Sequence, residues 1–444
     1  MISRQILHPA RVIPLTFLVA IGIGTLLLSL PAASESKEAV PFLVALFTAT
    51  SAVCVTGLAV VDTPTTWSAF GEAVILLLIQ TGGFGIMTGA TLLGLLISRR
   101  VRLTQQLIAK AETKSLTLAD VGSVVRLVLA VTVVVEVLVA TILTLRLHLS
   151  YDMALAEAAW SGLFHSVSAF NNAGFSIYSD SLMRFALDGF ILIPIMLAVV
   201  ISGLGFPVLH ELRREWHAPA RWSIQAKLTI FGSMLLLVGG FFSFLLIESS
   251  NPQTLAAMSP WGRALNAMFH SVMTRTAGFN SVDIGTLQPE SLFVSNMLMF
   301  IGGGSAGTAG GIKVTTFFLL GFVVWSEVRG HPDTSIFGRR VSSEVQRQAL
   351  AVVILASGIL SVATLALLAL TSYPLDQVLF EVISAFATVG LSTGITGDLP
   401  PSAQIILIGL MYSGRVGTIT LVISLTLRRH ARLYRYPEER PIVG

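Results

Sequence analysis

The sequence predicts an all-α integral membrane protein that contains four copies of one structural unit. Of its 444 residues, 54% are hydrophobic and only 12% are charged, and the mean hydropathy of +0.80 is too high for a soluble globular protein. A second observation is a repeated motif, found at 47–58 (FTATSAVCVTGL), 164–175 (FHSVSAFNNAGF), 269–279 (FHSVMTRTAGF) and 380–391 (FEVISAFATVGL). These segments are motifs 1 to 4 below.

The spacing of the motifs is nearly regular. Each begins with Phe and ends with Gly followed by Leu or Phe, and the glycines are 117, 104 and 112 residues apart (174−57, 278−174, 390−278). Motif 3 is one residue shorter than the others between its Phe and its Gly. A repeat of this kind indicates one structural unit used four times.

Long apolar stretches flank each motif in pairs, at 12–30 and 72–98, 122–145 and 188–210, 226–247 and 292–325, and 349–371 and 403–427. Each has about 20 residues or more, enough for a hydrocarbon core of ~30 Å. The motifs are too short to cross as helices, so each should enter the membrane and return. Non-helical backbone at that depth is tolerated where it is packed in protein or lines water. We therefore predict eight transmembrane helices and four half-helices in a pseudo-fourfold arrangement around one central pore.

The N-terminus resembles a signal peptide, with Arg4 and Arg11 before an apolar run and a small-residue segment at 31–34. The run at 12–30 is longer than a secretory apolar region, so we interpret it as a transmembrane helix. The predicted domains are repeat 1 at 1–98, repeat 2 at 120–213, repeat 3 at 223–328, repeat 4 at 347–429 and a cytoplasmic tail at 430–444.

The distribution of basic residues predicts the orientation. The N-terminus, the loops near 99–126, 210–227 and 328–347, and the tail hold 21 of the 28 Lys and Arg residues. This asymmetry places both termini in the cytoplasm and opens the motifs to the outside. A sequence pI near 9.4 does not indicate nucleic acid here, because the basic residues lie in short loops between apolar spans. A single cysteine, Cys54, excludes an intrachain disulfide and a cysteine-based metal cluster.

The end of each motif is suited to binding a monovalent cation. A half-helix directs its partly negative C-terminal carbonyls toward the turn that follows it, and glycine permits the backbone angles that align successive carbonyls. Four such turns around one axis would replace the hydration shell of a cation. The predicted selectivity filter, and the only predicted metal site, consists of Val55, Thr56, Gly57, Asn172, Ala173, Gly174, Thr276, Ala277, Gly278, Thr388, Val389 and Gly390.

A glycine-rich segment interrupts the second apolar stretch of repeat 3. It comprises Gly302, Gly303, Gly304, Ser305, Ala306, Gly307, Thr308, Ala309, Gly310 and Gly311. A dinucleotide fingerprint would need a preceding strand, and a P-loop would need glycine before Lys313 and Ser or Thr after it. Because each glycine costs a helix roughly 1 kcal/mol relative to alanine, we predict a flexible intramembrane loop that gates the pore. A glycine-lined helix crossing is the alternative.

These features carry a resemblance to a known superfamily. VCVTGL (53–58), TRTAGFN (274–280) and GGGSAGTAGGIKVTT (302–316) resemble the K⁺ transporters that include Trk, Ktr and plant HKT proteins, and the chain is most similar to the Ktr membrane subunit. The resemblance implies K⁺ uptake across a bacterial-type plasma membrane, stimulation by Na⁺, a homodimer, a cytosolic RCK-type nucleotide-binding ring as regulator, and no covalently bound cofactor. Glycine at the first filter position goes with K⁺ preference in this superfamily and serine with Na⁺ preference, so Gly57 implies K⁺.

Two intramembrane cations lie near the glycine-rich loop. Lys313 follows it, and Arg415 lies in the last span at the place where the family has an arginine that contacts the loop. Buried cations are costly and face water or carbonyl oxygens. Our hypothesis is that Arg415 donates hydrogen bonds to loop carbonyls and keeps the closed form populated. Bracing of two helices is the alternative.

Other polar residues at membrane depth have open roles. Glu136 lies within a span, where it either forms a structural or dimer contact or acts on ions. His165 and His270 occupy matching places in motifs 2 and 3 and predict a packing or hydrogen-bonding role. Arg275 is predicted to support the filter from behind.

Two rival classes are disfavoured. An alternating-access, Na⁺-coupled symporter with inverted repeats would present successive motifs on opposite faces, whereas two spans per repeat put all four on one face. A membrane enzyme would need a cluster of catalytic or metal-binding groups, and the sequence has no HExxH, paired carboxylates or nucleophile elbow. A Trk-like or Na⁺-preferring HKT-like protein remains an alternative within the superfamily.

Overall fold

The computed structural model describes residues 9–85 and 118–417. This part of the chain is almost entirely helical. Its helices are α1 Pro9–Leu28, α2 Phe42–Val53, α3 Ala69–Gly85, α4 Leu118–Ser150, α5 Leu155–Phe170, α6 Gly189–Gly203, α7 Phe206–Glu215, α8 Ile224–Glu248, α9 Pro260–Met273, α10 Pro289–Phe300, α11 Val314–Val328, α12 Ser343–Leu370, α13 Leu375–Phe386 and α14 Pro401–Tyr412, which continues into a π-helical turn at Ser413–Gly417.

The remaining elements are short. A helical turn lies at Thr63–Thr66, and 3₁₀ turns lie at Pro31–Ala33, Met183–Phe185, Pro219–Arg221, Ile284–Thr286 and Thr396–Asp398. Strands β1 Ser335–Ile336 and β2 Arg339–Arg340 form an antiparallel hairpin in the loop between α11 and α12. The predicted tail at 430–444 and the ends of the predicted spans 72–98 and 403–427 lie outside the described residues.

Four short helices, α2, α5, α9 and α13, contain the helical part of the motifs. They have 12, 16, 14 and 12 residues, or about 18 to 24 Å at 1.5 Å per residue. Each is shorter than the hydrocarbon core and stops just before the glycine that ends its motif. The phenylalanine that opens each motif is fully buried, at positions Phe47, Phe164, Phe269 and Phe380. Packing of this phenylalanine side chain holds each half-helix against its neighbours, because helices in a membrane associate largely through van der Waals contact.

Three described helical segments are long and apolar enough to cross a bilayer unaided, Arg126–Ser150, Ile224–Glu248 and Ser343–Leu370. Their outer faces carry exposed residues such as Val137, Phe242 and Val362, as expected of surfaces that contact lipid. The helices Pro14–Leu28, Ala69–Gly85 and Val314–Val328 are apolar but shorter.

The apolar stretch at 188–210, predicted to be one span, is divided into two helices. Helices α6 and α7 meet at a 93° bend between Gly203 and Phe206. Gly205 has a φ of +88°, which ends α6, and Pro207 in the first turn of α7 favours a new start. The bend turns α7 away from the path that a straight span would follow.

The apolar stretch at 292–325 is also divided, here by the glycine-rich loop that the sequence predicts. Helix α10 ends at Phe300 and α11 starts at Val314. A bridge between Ile301 and Ile312 closes the neck of the loop, where the Gly302 amide donates to the Ile312 carbonyl at 2.8 Å. The chain thus leaves the helix, makes a closed loop at membrane depth and resumes as a helix.

Candidate functional site: a ring of four glycine turns

The four motif glycines lie side by side in a closed ring. A Cβ placed on Gly57 would overlap the carbonyl oxygen of Ala173, one residue before the glycine of motif 2. The same relation joins Gly174 to Ala277, Gly278 to Val389 and Gly390 back to Thr56. Each turn therefore abuts the next, and the fourth returns to the first. Only a residue without a side chain fits at these four places.

The backbone of all four turns has the same unusual conformation. The residue two positions before each glycine has a positive φ, and so does the glycine itself, at Val55 (55°), Asn172 (59°), Thr276 (69°), Thr388 (51°), Gly57 (93°), Gly174 (72°), Gly278 (74°) and Gly390 (95°). Positive φ is rare for a β-branched residue, and strained backbone of this kind clusters at functional sites. The four turns therefore share one unusual backbone geometry.

Serine side chains fix three of the turns. Ser51 Oγ accepts from the Gly57 amide at 3.1 Å, and Ser384 Oγ accepts from the Gly390 amide at 3.1 Å while donating to the Leu391 carbonyl at 2.6 Å. Ser168 Oγ donates to the Phe175 carbonyl at 2.8 Å. These serines stand four residues after the opening Phe of motifs 1, 2 and 4, a signal present in the sequence that sequence reasoning missed.

The half-helices end at the turns and direct their carbonyl ends toward them. The C-caps are Cys54, Asn171, Thr274 and Ala387. The negative ends of four helix dipoles therefore converge near the ring. This arrangement is favourable to a cation and repels an anion.

The glycine-rich loop is held by the bend between α6 and α7. The Gly304 amide donates to the Gly203 carbonyl at 2.8 Å, and a Cβ on Gly205 would overlap the Ser305 carbonyl oxygen. A Cβ on Gly307 would lie 2.9 Å from the Ser202 carbonyl oxygen. The bend that breaks the predicted span thus provides the seat for the loop.

The loop also reaches the ring of glycines. A Cβ on Gly310 would overlap the carbonyl oxygen of Ala387, and one on Gly311 would lie 3.2 Å from the Ala387 Cβ. Thr308 is fully buried. The loop therefore lies directly against the fourth turn.

Both predicted gate cations bind loop carbonyls. Arg415 Nη1 donates to the Thr308 carbonyl and contacts Thr388 Oγ1 at 3.4 Å, and Lys313 Nζ donates to the Ala309 carbonyl. Arg415 is 3% exposed. Lys313 Nζ and Arg415 Nη1 thus bind backbone oxygens, as expected of buried cations in a membrane protein, whereas Arg415 Nε and Nη2 have no hydrogen-bonding partner among the described residues.

Arg275 also binds a carbonyl of the loop. Its Nη2 donates to the Gly302 carbonyl at 2.8 Å, and the residue is 6% exposed. The sequence predicts a support for the filter, whereas the structure joins Arg275 to the neck of the loop. No sequence pattern signals this contact, because residues 275 and 302 belong to different elements.

Glu136 and the two histidines lie apart from the ring. The Glu136 carboxylate accepts from Gln80 Nε2 at 3.4 Å and from Asn171 Nδ2 at 3.3 Å, which links α4 to α3 and to the end of α5. His165 Nε2 contacts Ser176 Oγ at 2.9 Å, and His270 Nε2 contacts Ser295 Oγ at 3.1 Å. Within the described residues, no group of three or more His, Cys, Asp or Glu side chains is placed to hold a metal ion.

The fold and the ring define a membrane protein that transports cations. A family model described as "TrkH: Cation transport protein" matches residues 8–431, and the chain belongs to this family. It is a transporter rather than an enzyme, as the sequence predicts.

Similar proteins extend this result. The chain is 35% identical to Ktr system potassium uptake protein B of Bacillus subtilis, over 98% of this chain and 97% of that protein. It is 36% identical to the Vibrio alginolyticus protein of the same name (98% and 94% covered) and 34% identical to potassium/sodium uptake protein NtpJ of Enterococcus hirae (99% and 98%). The crystal structure of the potassium transporter TrkH from Vibrio parahaemolyticus superposes with a TM-score of 0.70 at 19% identity, covering 92% of this chain and 84% of that one.

Proposed function

We propose that this protein takes up K⁺ across a bacterial-type plasma membrane through the ring of four glycine turns, which acts as the selectivity filter. The closed ring carries the proposal, because four strained turns at the ends of four half-helices would present carbonyl oxygens to one dehydrated cation. The names of the relatives, which specify potassium uptake, support the choice of ion. Glycine at Gly57 supports it further through the superfamily pattern.

The proposed architecture has eight spans in four pseudo-fourfold repeats, at 1–98, 120–213, 223–328 and 347–429, with both termini in the cytoplasm. The bent pair α6 and α7 and the divided pair α10 and α11 each count as one span in this scheme. The regular order in which each turn contacts the next supports it.

The glycine-rich loop 302–311 is the proposed gate. Its contacts with the fourth turn and with Arg415 support a closed position directly beneath the filter, from which the loop must move for ions to pass. Lys313, bound to the Ala309 carbonyl, adds positive charge that opposes cation entry while the loop is closed.

The proposed partners are a second copy of the chain, the lipid bilayer and a cytosolic RCK-type nucleotide-binding ring. These follow from the Ktr resemblance. Na⁺ stimulation follows from it too, and the name of the E. hirae relative, which includes sodium, favours an Na⁺-related alternative in which Na⁺ is itself carried.

Growth of K⁺-uptake-deficient cells at low external K⁺ tests the proposal, with and without Na⁺. Cells expressing the chain should grow, whereas Gly278→Ala, whose Cβ would overlap the Val389 carbonyl oxygen, should not support growth although it reaches the membrane. Failure of the unaltered chain to support growth or K⁺ flux would contradict K⁺ uptake. Equal growth with and without Na⁺ would remove only the stimulation.

A further inference from the structure

The turn of motif 3 is held differently from the other three. Motif 3 lacks one residue, and Met273 stands where motifs 1, 2 and 4 have their serine. The amides of Ala277 and Gly278 both donate to the Met273 carbonyl, at 3.1 and 3.3 Å. Among the described residues, no side-chain hydroxyl binds the Gly278 amide as Ser51 and Ser384 bind their glycines.

The same turn is joined to the loop by an arginine of its own motif, and motifs 1, 2 and 4 contain no arginine. Arg275 directly precedes Thr276, the left-handed residue of the turn, and its guanidinium donates to the Gly302 carbonyl at 2.8 Å. Gly302 is the residue at which the loop closes on itself, because its amide binds the Ile312 carbonyl. A displacement of the loop neck therefore pulls on a side chain whose backbone is continuous with the turn.

The guanidinium lies beside a small gap in the packing. A cavity of about 30 Å³ lies beside it, lined by Gly203, Ser233 and Gly303 among others. Arg275 Nη1 has no hydrogen-bonding partner among the described residues. The bond to Gly302 is therefore the one hydrogen bond that holds the guanidinium among the described residues, and the packing around it is looser than in a filled interior.

We propose that Arg275 is a positioning residue that transmits the position of loop 302–311 to the filter turn of motif 3. This inference rests on the proposed filter and gate. Turns 1, 2 and 4 keep their geometry through serine bonds within their own motifs, even though the loop also packs on turn 4. Turn 3 lacks this serine and takes its geometry from the loop through Arg275. Ion selectivity then depends on whether the loop is closed or displaced.

A double-mutant cycle tests the coupling. The full chain is purified, reconstituted in liposomes and assayed for the ratio of K⁺ to Na⁺ uptake. The variants are Arg275→Gln, a loop shortened by deletion of 304–308, and the two changes together. With the loop intact, Arg275→Gln should change the ratio by about fivefold or more, the scale of ordinary allosteric coupling. In the shortened background the same substitution should change it less than about twofold, because the loop can no longer hold the turn.

Arg263→Gln is the matched control, since Arg263 lies at the other end of the same helix α9 and, within the part of the chain that the structure describes, hydrogen-bonds to the Met258 and Ala256 carbonyls only. It should leave the ratio unchanged. An equal effect of Arg275→Gln in both backgrounds, or no effect in either, would overturn the coupling.

Should Arg275→Gln fail to purify as a monodisperse protein, Arg275→Lys decides the question. Lysine keeps the positive charge but lacks the planar guanidinium group. Arg275→Lys should therefore change the ratio of K⁺ to Na⁺ uptake less than Arg275→Gln does, and the loop deletion should again remove the effect. A ratio equal to that of the unaltered chain would overturn the proposal. Absence of K⁺ uptake by the unaltered chain would instead refute the proposed function, before any variant is compared.

Discussion

The filter glycines illustrate at the scale of single residues how space and backbone conformation act together. Gly57 has a φ of +93°, and a Cβ there would also meet the Ala173 carbonyl oxygen. Gly394 has nearly the same φ, +96°, but open space around it. Substitutions at these two positions therefore distinguish the effect of backbone strain from the effect of steric overlap with the neighbouring turn.

Gly57→Ser should raise the KM for K⁺ by about tenfold or more, because the new side chain would displace the Ala173 carbonyl oxygen from the ring. A tenfold change in binding corresponds to roughly 1.4 kcal/mol. Gly394→Ser carries similar backbone strain without a contact in the ring, so it should change the KM less than about twofold. Concentration-dependent K⁺ uptake measures both. An equal effect of the two substitutions would mean that backbone strain, and not the ring, determines the result.

Arg415 provides a second test at this scale. A hydrogen bond from a charged group contributes about 1.5–3 kcal/mol, and Arg415 gives one to the Thr308 carbonyl. Arg415→Ala should therefore destabilise the closed loop and raise K⁺ flux about tenfold in cells that lack the proposed cytosolic partner. Arg340→Ala, which removes an exposed ion pair with Asp333, serves as the control. Unchanged flux in Arg415→Ala would remove Arg415 from the gate.

At the scale of elements, the sequence predicts local features better than contacts between elements. Apolar length and the motif pattern predict the four half-helices, because each depends on residues close together in the chain. The break at Gly205 could not be predicted in the same way. The residues on both sides of Gly205 are apolar and together predict one span. The break accommodates the loop at 302–311, which lies about a hundred positions later in the chain.

The same limit applies within the candidate site. The serine bonds of motifs 1, 2 and 4 are local and have a visible pattern in the sequence. The bond from Arg275 to Gly302 and the bond from Arg415 to Thr308 join separate elements. The bond from Arg415 was expected only because the family that the sequence resembles has an arginine at that place. Neither a local pattern nor the resemblance predicted the bond from Arg275.

Gly205→Ala tests the seat of the loop. A left-handed conformation costs an L-residue roughly 1–2 kcal/mol, and the new Cβ would also overlap the Ser305 carbonyl oxygen. The substitution should displace the loop and raise basal K⁺ flux severalfold. Gly239→Ala, in helix α8 with no neighbouring atom within 4 Å, should leave the flux unchanged. Reduced flux in Gly205→Ala with a normally folded chain would indicate that the bend shapes the conducting path and not the closed gate.

At the scale of the whole molecule, the ring requires that all four motifs enter the membrane from the same side. Each turn contacts the next through equivalent atoms, so the four half-helices must share one polarity along the pore. Two spans between successive motifs satisfy this requirement, whereas a single span would invert alternate motifs. The orientation of the loops is therefore a test of the entire arrangement.

The lone cysteine makes this test direct. Cys54 is fully buried, so an introduced surface cysteine should be the principal target of a membrane-impermeant maleimide. Ser36→Cys, Gln253→Cys and Ser372→Cys alter exposed positions that precede motifs 1, 3 and 4, and each should react in intact cells. Pro332→Cys, exposed in the loop before β1, should react only after the membrane is opened, as the positive-inside rule requires. Labelling of Gln253→Cys on the side opposite to Ser36→Cys would invert motif 3 relative to motif 1 and exclude a common ring.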